Sequence, residues 1–266
     1  MKKKNGFSAL AVVVGVLVVA LVGIAAFLVI DGNNKATNFD EYNFYSVIEA
    51  SRDNGNISDH VKGSKDAPVL IFEYADYQCP GCAAINPYVN RVVEELAGKL
   101  GLVYRNYLLN YHQNATAAAS AVEAAGIQGY WKPMADKMFE EQEEWEYASP
   151  SDRTALFNKY FTEITDGKGD LEKFVKDIAS EAVSKKISFD MGVGKRVGVE
   201  ATPSFYIDGQ RIDWTNSNGS SITVNGQTFK WDHRLSSSEF MELIRNLVSA
   251  KLGEEIKSTS WEAGTE

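Results

Sequence analysis

Apolar positions fall along this chain in three rhythms, and each predicts a different kind of element. Residues 7–30, "FSALAVVVGVLVVALVGIAAFLVI", carry no charge. As a helix they would extend roughly 36 Å at about 1.5 Å per residue, more than a hydrocarbon core of about 30 Å. A signal-peptide apolar region is shorter, about 7–15 residues. The pattern therefore predicts an uncleaved transmembrane anchor. The rival is a signal cleaved near the small residues of "GIAAF". Lys2, Lys3 and Lys4 keep residues 1–6 in the cytoplasm on this reading, and everything after Ile30 lies outside, where disulfides persist. No cysteine lies near the segment, which excludes lipid attachment there.

The second rhythm is the short apolar run. "PVLIFEYA", residues 68–75, is rich in β-formers and reads as a strand buried on both faces. "GLVYRNYLLN", 101–110, reads as another, and strand character returns in "PSFYIDG", 203–209. "WTNSNGSSITVNGQTFKW" predicts a hairpin turning at Asn225–Gly226.

The third rhythm is helical. Val89, Val92, Val93, Leu96, Ala97 and Leu100 repeat at helical spacing, so strand, helix and strand follow one another. From Asn114 to about Lys186 the pattern is helical throughout, with a start at Ser149–Pro150 and an apolar stripe of Leu171, Phe174, Val175, Ile178, Ala182 and Val183. A closing helix follows Ser236, which forms a capping box with Glu239. Residues 31–40 read as a polar linker, the stretch up to about residue 67 gives no clear assignment, and the tail from residue 253 reads as flexible.

Charge narrows the classes. The formal net charge is -9, and without the three anchor lysines the outer part stands near -12. No basic patch with interleaved aromatics exists, which argues against a nucleic-acid partner.

Only two cysteines occur, Cys79 and Cys82, in "CPGC". A disulfide across two residues closes almost no loop, so as a staple it does little. Zinc needs about four ligands, and His60, His112 and His233 are scattered. A reactive pair fits the placement. Cys79 sits where a helix begins, with Pro80 suited to its first position. Free N–H groups and the partial positive charge of a helix N-terminus favour its thiolate. Cys82, one turn on, can attack a mixed disulfide and release the substrate. Glu73 stands within an apolar strand, and its own face by alternation holds Val69, Ile71 and Ala75. Buried, it could carry the proton that Cys82 must lose; on an edge strand it would merely face water. Thr202–Pro203 opens the later strand, and by default such a bond is trans, since about 5–6% of X-Pro bonds are cis.

"DAPVLIFEYADYQCPGC" and "VEATPSFYIDG", with "LNYHQNATAAASAVEAA" and "GYWKPMADKMFEEQ", resemble the DsbA-like branch of the thioredoxin superfamily over roughly residues 60–252. The resemblance implies an α/β thioredoxin fold with an inserted helical domain: 61–112 and 191–252 as its two parts, 113–190 as the insertion, 31–60 as linker and extension, 253–266 as tail. It implies that Cys79 attacks, Cys82 resolves, Glu73 is the family's acid, and Thr202 and a cis Pro203 lie beside the disulfide and offer backbone groups to a bound peptide. Pro80 and Gly81 then border the substrate. Pro87 resembles the proline that kinks the active-site helix, and His112 matches a histidine of the helical region, read here as structural.

One departure matters. Strongly oxidising members often carry histidine where this chain has Gly81, and Asp76 could oppose ionisation of Cys79, so a moderate oxidant is expected. The reading is a membrane-anchored, extracytoplasmic, monomeric thiol:disulfide oxidase for secreted or surface proteins bearing cysteine thiols. It needs no cofactor beyond the Cys79–Cys82 disulfide and no metal. A quinone-linked membrane partner of the DsbB or vitamin K epoxide reductase-like kind would reoxidise it. The alternatives are a reductase or isomerase of the same fold, and a non-enzymatic binding protein whose cysteines are inert or hold metal.

Overall fold

The computed structural model describes residues 37–256. The chain divides into two units at residue 41. The described part of the first contains a single 3-10 turn, Phe39–Glu41, beside which the Asn38 amide donates to Glu41 at 2.8 Å. All that follows concerns the second unit. The predicted membrane segment 7–30 lies outside the described residues, and no described helix is long and apolar enough to cross a membrane.

A five-stranded sheet with order β1-β3-β2-β4-β5 organises the unit. Its strands are β1 (His60–Gly63), β2 (Val69–Ala75), β3 (Leu100–Asn106), β4 (Ser204–Ile207) and β5 (Gln210–Ile212). Only β2 and β3 run parallel; they are joined by helix α1 (Pro80–Glu95), the crossover that parallel pairing requires. Both faces of the central strands are covered, and all seven residues of β3 are buried, Arg105 and Asn106 among them. β1 falls in the stretch that sequence patterning left unassigned, since four residues give too little alternation to detect.

One face of the sheet carries Val69, Ile71, Leu100, Leu102, Phe205 and Ile207. These pack with Val89, Val92 and Val93 of α1 and with Phe240, Ile244 and Leu247 of the closing helix α8 (Ser237–Leu252). The predicted capping box is present at the start of α8. The hairpin of β6 (Ser220–Val224) and β7 (Gln227–Trp231) turns at Asn225–Gly226, both at positive φ, 47° and 77°.

Between β3 and β4 lie the inserted helices α2 (Ala115–Ile127), α3 (Trp131–Glu140), α4 (Gln142–Trp145), α5 (Pro150–Ile164), α6 (Leu171–Ile178) and α7 (Glu181–Val197). Helix α2 is buried almost all round; its alanines let neighbouring helices approach closely. Two details differ from the sequence reading. The expected stripe from Leu171 to Val183 is broken between α6 and α7; Phe174 and Val183 are buried, but Leu171 and Val175 are exposed. And α7 runs on to Val197, past residue 190, because its end packs under the loop after β3: a Cβ on Gly194 would lie 2.4 Å from the Tyr107 ring. Glycine there is a condition for close approach.

The insertion is locked to the sheet by buried charge. Asp59 accepts from Arg105 of β3 at 2.7 Å and from Lys186 of α7 at 3.1 Å, and Lys186 also reaches Asp190 at 2.8 Å. Each member has an opposite charge, which is the condition for burying any of them.

Candidate active site

The two cysteines sit at the β2-to-α1 junction. Cys79 is the N-cap of α1, with φ -78° and ψ 120°, and Pro80 follows at the first helical position. The Cys79 carbonyl accepts from the N–H groups of Cys82 at 3.0 Å and Ala83 at 3.1 Å. Both cysteines are free thiols. Cys79 keeps 7% of its surface exposed and Cys82 none. Cys79 is therefore reached only by its edge, because Thr202 and Pro203 lie against it. The Cys79 thiol donates to the Thr202 carbonyl at 3.4 Å. The Thr202–Pro203 bond is cis. A Cβ on Gly81 would lie 3.3 Å from Pro203 Cδ and 3.7 Å from Cys79 Sγ, so the residue without a side chain faces both. Pro80 and Gly81 are exposed, and Pro87 lies inside α1.

The electrostatics separate the two sulfurs. The Cys82 thiol hydrogen-bonds the Cys79 thiolate and does most to lower its pKa; burial opposes it, and the Thr202 hydroxyl and the N–H groups of residues 82 and 81 assist, leaving Cys79 at about 6. The Thr202 hydroxyl is buried and meets no partner within hydrogen-bonding distance, so it is free to turn toward a thiolate at Cys79. Sequence reasoning named the helix N–H groups but missed the Cys82 thiol, the largest single influence on Cys79. Cys82 is driven the other way: burial first, then the neighbouring Cys79, push its pKa well above the ordinary thiol value. One sulfur is poised as a thiolate and the other is held as a thiol.

Glu73 is buried beneath α1. Across the parallel pairing it stands opposite Tyr104, which stacks on Tyr77 with ring centroids 5.3 Å apart. In these surroundings burial pushes its carboxyl up to about 7, against the pull of Lys62 and with the help of Asp136. Lys62 was missed in the sequence. It lies on β1, opposite Leu102 of β3, and its amine donates to Asn86 of α1 and lies 3.7 Å from Asp136 of α3. Burial lowers its pKa, while Glu73 and Asp136 raise it. A lysine in "HVKG" would have been the signal, but four residues do not reveal which face a strand buries.

Asp76 is turned away from opposing Cys79. Its carboxylate accepts from the N–H groups of Gln78 and Leu109, each at 2.8 Å, and meets His112 Nδ1 at 2.8 Å. His112 thus braces the loop after β3, and Tyr107 ties that loop to the Val199 carbonyl at 2.6 Å. Among the described residues no three His, Cys, Asp or Glu side chains gather as a metal would need.

A dithiol at a strand-to-helix junction, beside a cis proline and above a buried acid, on a sheet interrupted by a helical layer, defines a thioredoxin-type dithiol protein. Residues 55–233 match the thioredoxin family, and the chain belongs to it. Solved structures of DsbA type share the fold. The structure of alpha-DsbA1 from Wolbachia pipientis is 22% identical, covers 73% of this chain and 93% of that one, and has a TM-score of 0.53. Oxidised BdbD from Bacillus subtilis is 19% identical, covers 78% and 100%, and has a TM-score of 0.54. Curated relatives include the Na(+)/H(+) antiporter NhaA 1 of Mycolicibacterium gilvum, 30% identical over 156 residues, and NhaA 3 of Salinispora tropica, 32% over 154. The match takes in 58% of this chain but only 24% and 22% of those proteins, so the chain spans about a quarter of their length.

Proposed function

We propose that this chain is an extracytoplasmic thiol:disulfide oxidase, held to the membrane by residues 7–30 and supplying disulfides to secreted or surface proteins. The observation that carries this reading is the split between the sulfurs: Cys79 lowered to about 6, Cys82 raised well above an ordinary thiol. A dithiol whose reduced form is stabilised through one thiolate gives up its disulfide readily.

In the oxidised protein a substrate thiolate attacks Cys79 Sγ. The Cys79–Cys82 bond breaks, its electron pair passes to Cys82, and Glu73, with a pKa near the ambient pH, supplies the proton that Cys82 takes up. The substrate's second thiolate then attacks its own half of the mixed disulfide, and Cys79 leaves as thiolate. Two substrate thiols become a disulfide, and two electrons rest on Cys79 and Cys82. A quinone-linked membrane protein of the DsbB or vitamin K epoxide reductase-like kind would withdraw them.

Equilibration of the full chain against glutathione buffers, with the Cys79–Cys82 state read by mass after alkylation, tests the direction. An oxidase should be half-reduced at a potential well above that of the glutathione pool; a pair still oxidised in strongly reducing buffer would make the protein a reductase. Separately, Cys82→Ala should accumulate substrate adducts on Cys79, visible on non-reducing gels; adducts forming faster on Cys82 of a Cys79→Ala protein would reverse the roles.

A further inference from the structure

The three residues leading into Cys79 are hydrogen-bonded to the loop after β3 and to the segment formed by α4 and the loop that follows it. Asp76 holds the loop after β3 through Leu109 and His112. The Tyr77 carbonyl accepts from Gln142 at 2.6 Å. Gln78 accepts from the Asn114 N–H at 2.6 Å and donates to the Glu146 carbonyl at 2.7 Å. Asn114 closes the bracket by donating to the carbonyls of Trp145, Glu146 and Ala148 at 3.0–3.1 Å. Asp76, Gln78 and Asn114 are buried. Their pairing fixes both loops rigidly beside the nucleophile.

Each loop presents a tyrosine to solvent. Tyr111 is 69% exposed and Tyr147 is 87% exposed, the two most exposed large hydrophobic side chains among the described residues. Such side chains, held on rigid loops, are characteristic of recognition surfaces. The approach to the second loop is also acidic: Glu143, in the short helix α4, and Glu146 both precede Tyr147.

We infer that these loops form a lip that selects extended polypeptide segments in which an apolar or basic side chain lies within a few residues of the cysteine to be oxidised. The inference rests on the oxidoreductase reading above. Tyrosine faces take aliphatic stems and cations alike, and the neighbouring carboxylates favour the cation.

The test uses the oxidised full-length protein and three single-cysteine octapeptides that differ only in the residues flanking cysteine: lysine, glutamine or glutamate. Mixed-disulfide formation is followed by rapid quench and mass, and each rate is divided by the same protein's rate with reduced glutathione. At low salt the lysine peptide should react about tenfold faster than the glutamate peptide, and the gap should shrink severalfold at high salt. Tyr147→Ser should slow all three peptides relative to glutathione. The double variant Glu143→Gln, Glu146→Gln should remove the order among them. Equal normalised rates for the three peptides, with glutathione reacting, would overturn the lip and leave the redox reading standing. No reaction with glutathione or any peptide would overturn both.

Discussion

At the scale of single residues, the poise of Cys79 rests on hydrogen bonds rather than on a fixed charge. The side chain that could add one is missing at Gly81. A histidine there starts with its Cβ 3.3 Å from Pro203 Cδ, a contact relieved by a shift of a few tenths of an ångström. An imidazolium beside the sulfur should lower the Cys79 pKa from about 6 by on the order of 1 unit and make the pair more oxidising. Thiolate absorbance against pH on reduced wild type and Gly81→His decides it; an unmoved midpoint would mean that groups outside "CPGC" set the poise.

Glu73 gives a second residue-scale expectation, with a definite sign. Its folded pKa, about 7, lies above its ordinary 4.5, so between these values the folded state holds more protons than the unfolded. Its contribution to stability is therefore fully present below about 4.5 and is lost as pH rises toward 7, by on the order of 2–3 kcal/mol. Glu73→Gln should abolish that decline. Urea unfolding at pH 4.5 and pH 8 checks it: the variant should gain on wild type at the higher pH, and parallel behaviour would mean that Glu73 titrates normally. In the reverse direction, where Cys82 attacks the mixed disulfide on Cys79 and releases the substrate, the same variant should slow that resolution more than the attack by Cys79, because only that step requires Cys82 to lose its proton.

At the scale of elements, the close approaches are what tie the insertion to the site. α7 lies against Tyr107 at Gly194, and Tyr107 in turn holds the segment that leads to Thr202. Gly194→Ala should cost about 1–3 kcal/mol through overpacking, even though alanine is the better helix former. It should also lower the rate with protein thiols by moving the Thr202–Pro203 loop. Chemical denaturation and the Cys79 alkylation rate read the two effects, and a stabilised protein would show that the contact is not tight. The sequence made most elements visible here, since β2, α1 and α8 each bury one continuous apolar pattern. It hid β1, too short to show a period, and it joined α6 and α7 into one stripe because the break at Ala179–Ser180 leaves the spacing almost intact.

At the scale of the whole molecule, residues 7–30 set the topology. An uncleaved anchor predicts that the full chain sediments with membranes and that protease added outside reaches the catalytic unit. A mature N-terminus beyond residue 25, read by mass, would make residues 7–30 a cleaved signal.

The sequence by itself determined the dithiol, the order of the longer strands and helices, the helix start at Cys79 and the presence of an acid in an apolar strand. All of these depend on neighbours in the chain, and local patterns record them. Tertiary structure alone decided which groups set the sulfurs apart. The Cys82 thiol, the Thr202 hydroxyl, Lys62 and Asp136 come from four separate places in the chain. They matter only because folding removes water from between them, and in the drier interior a hydrogen bond or charge a few ångströms away shifts a proton equilibrium that the solvated chain would leave alone.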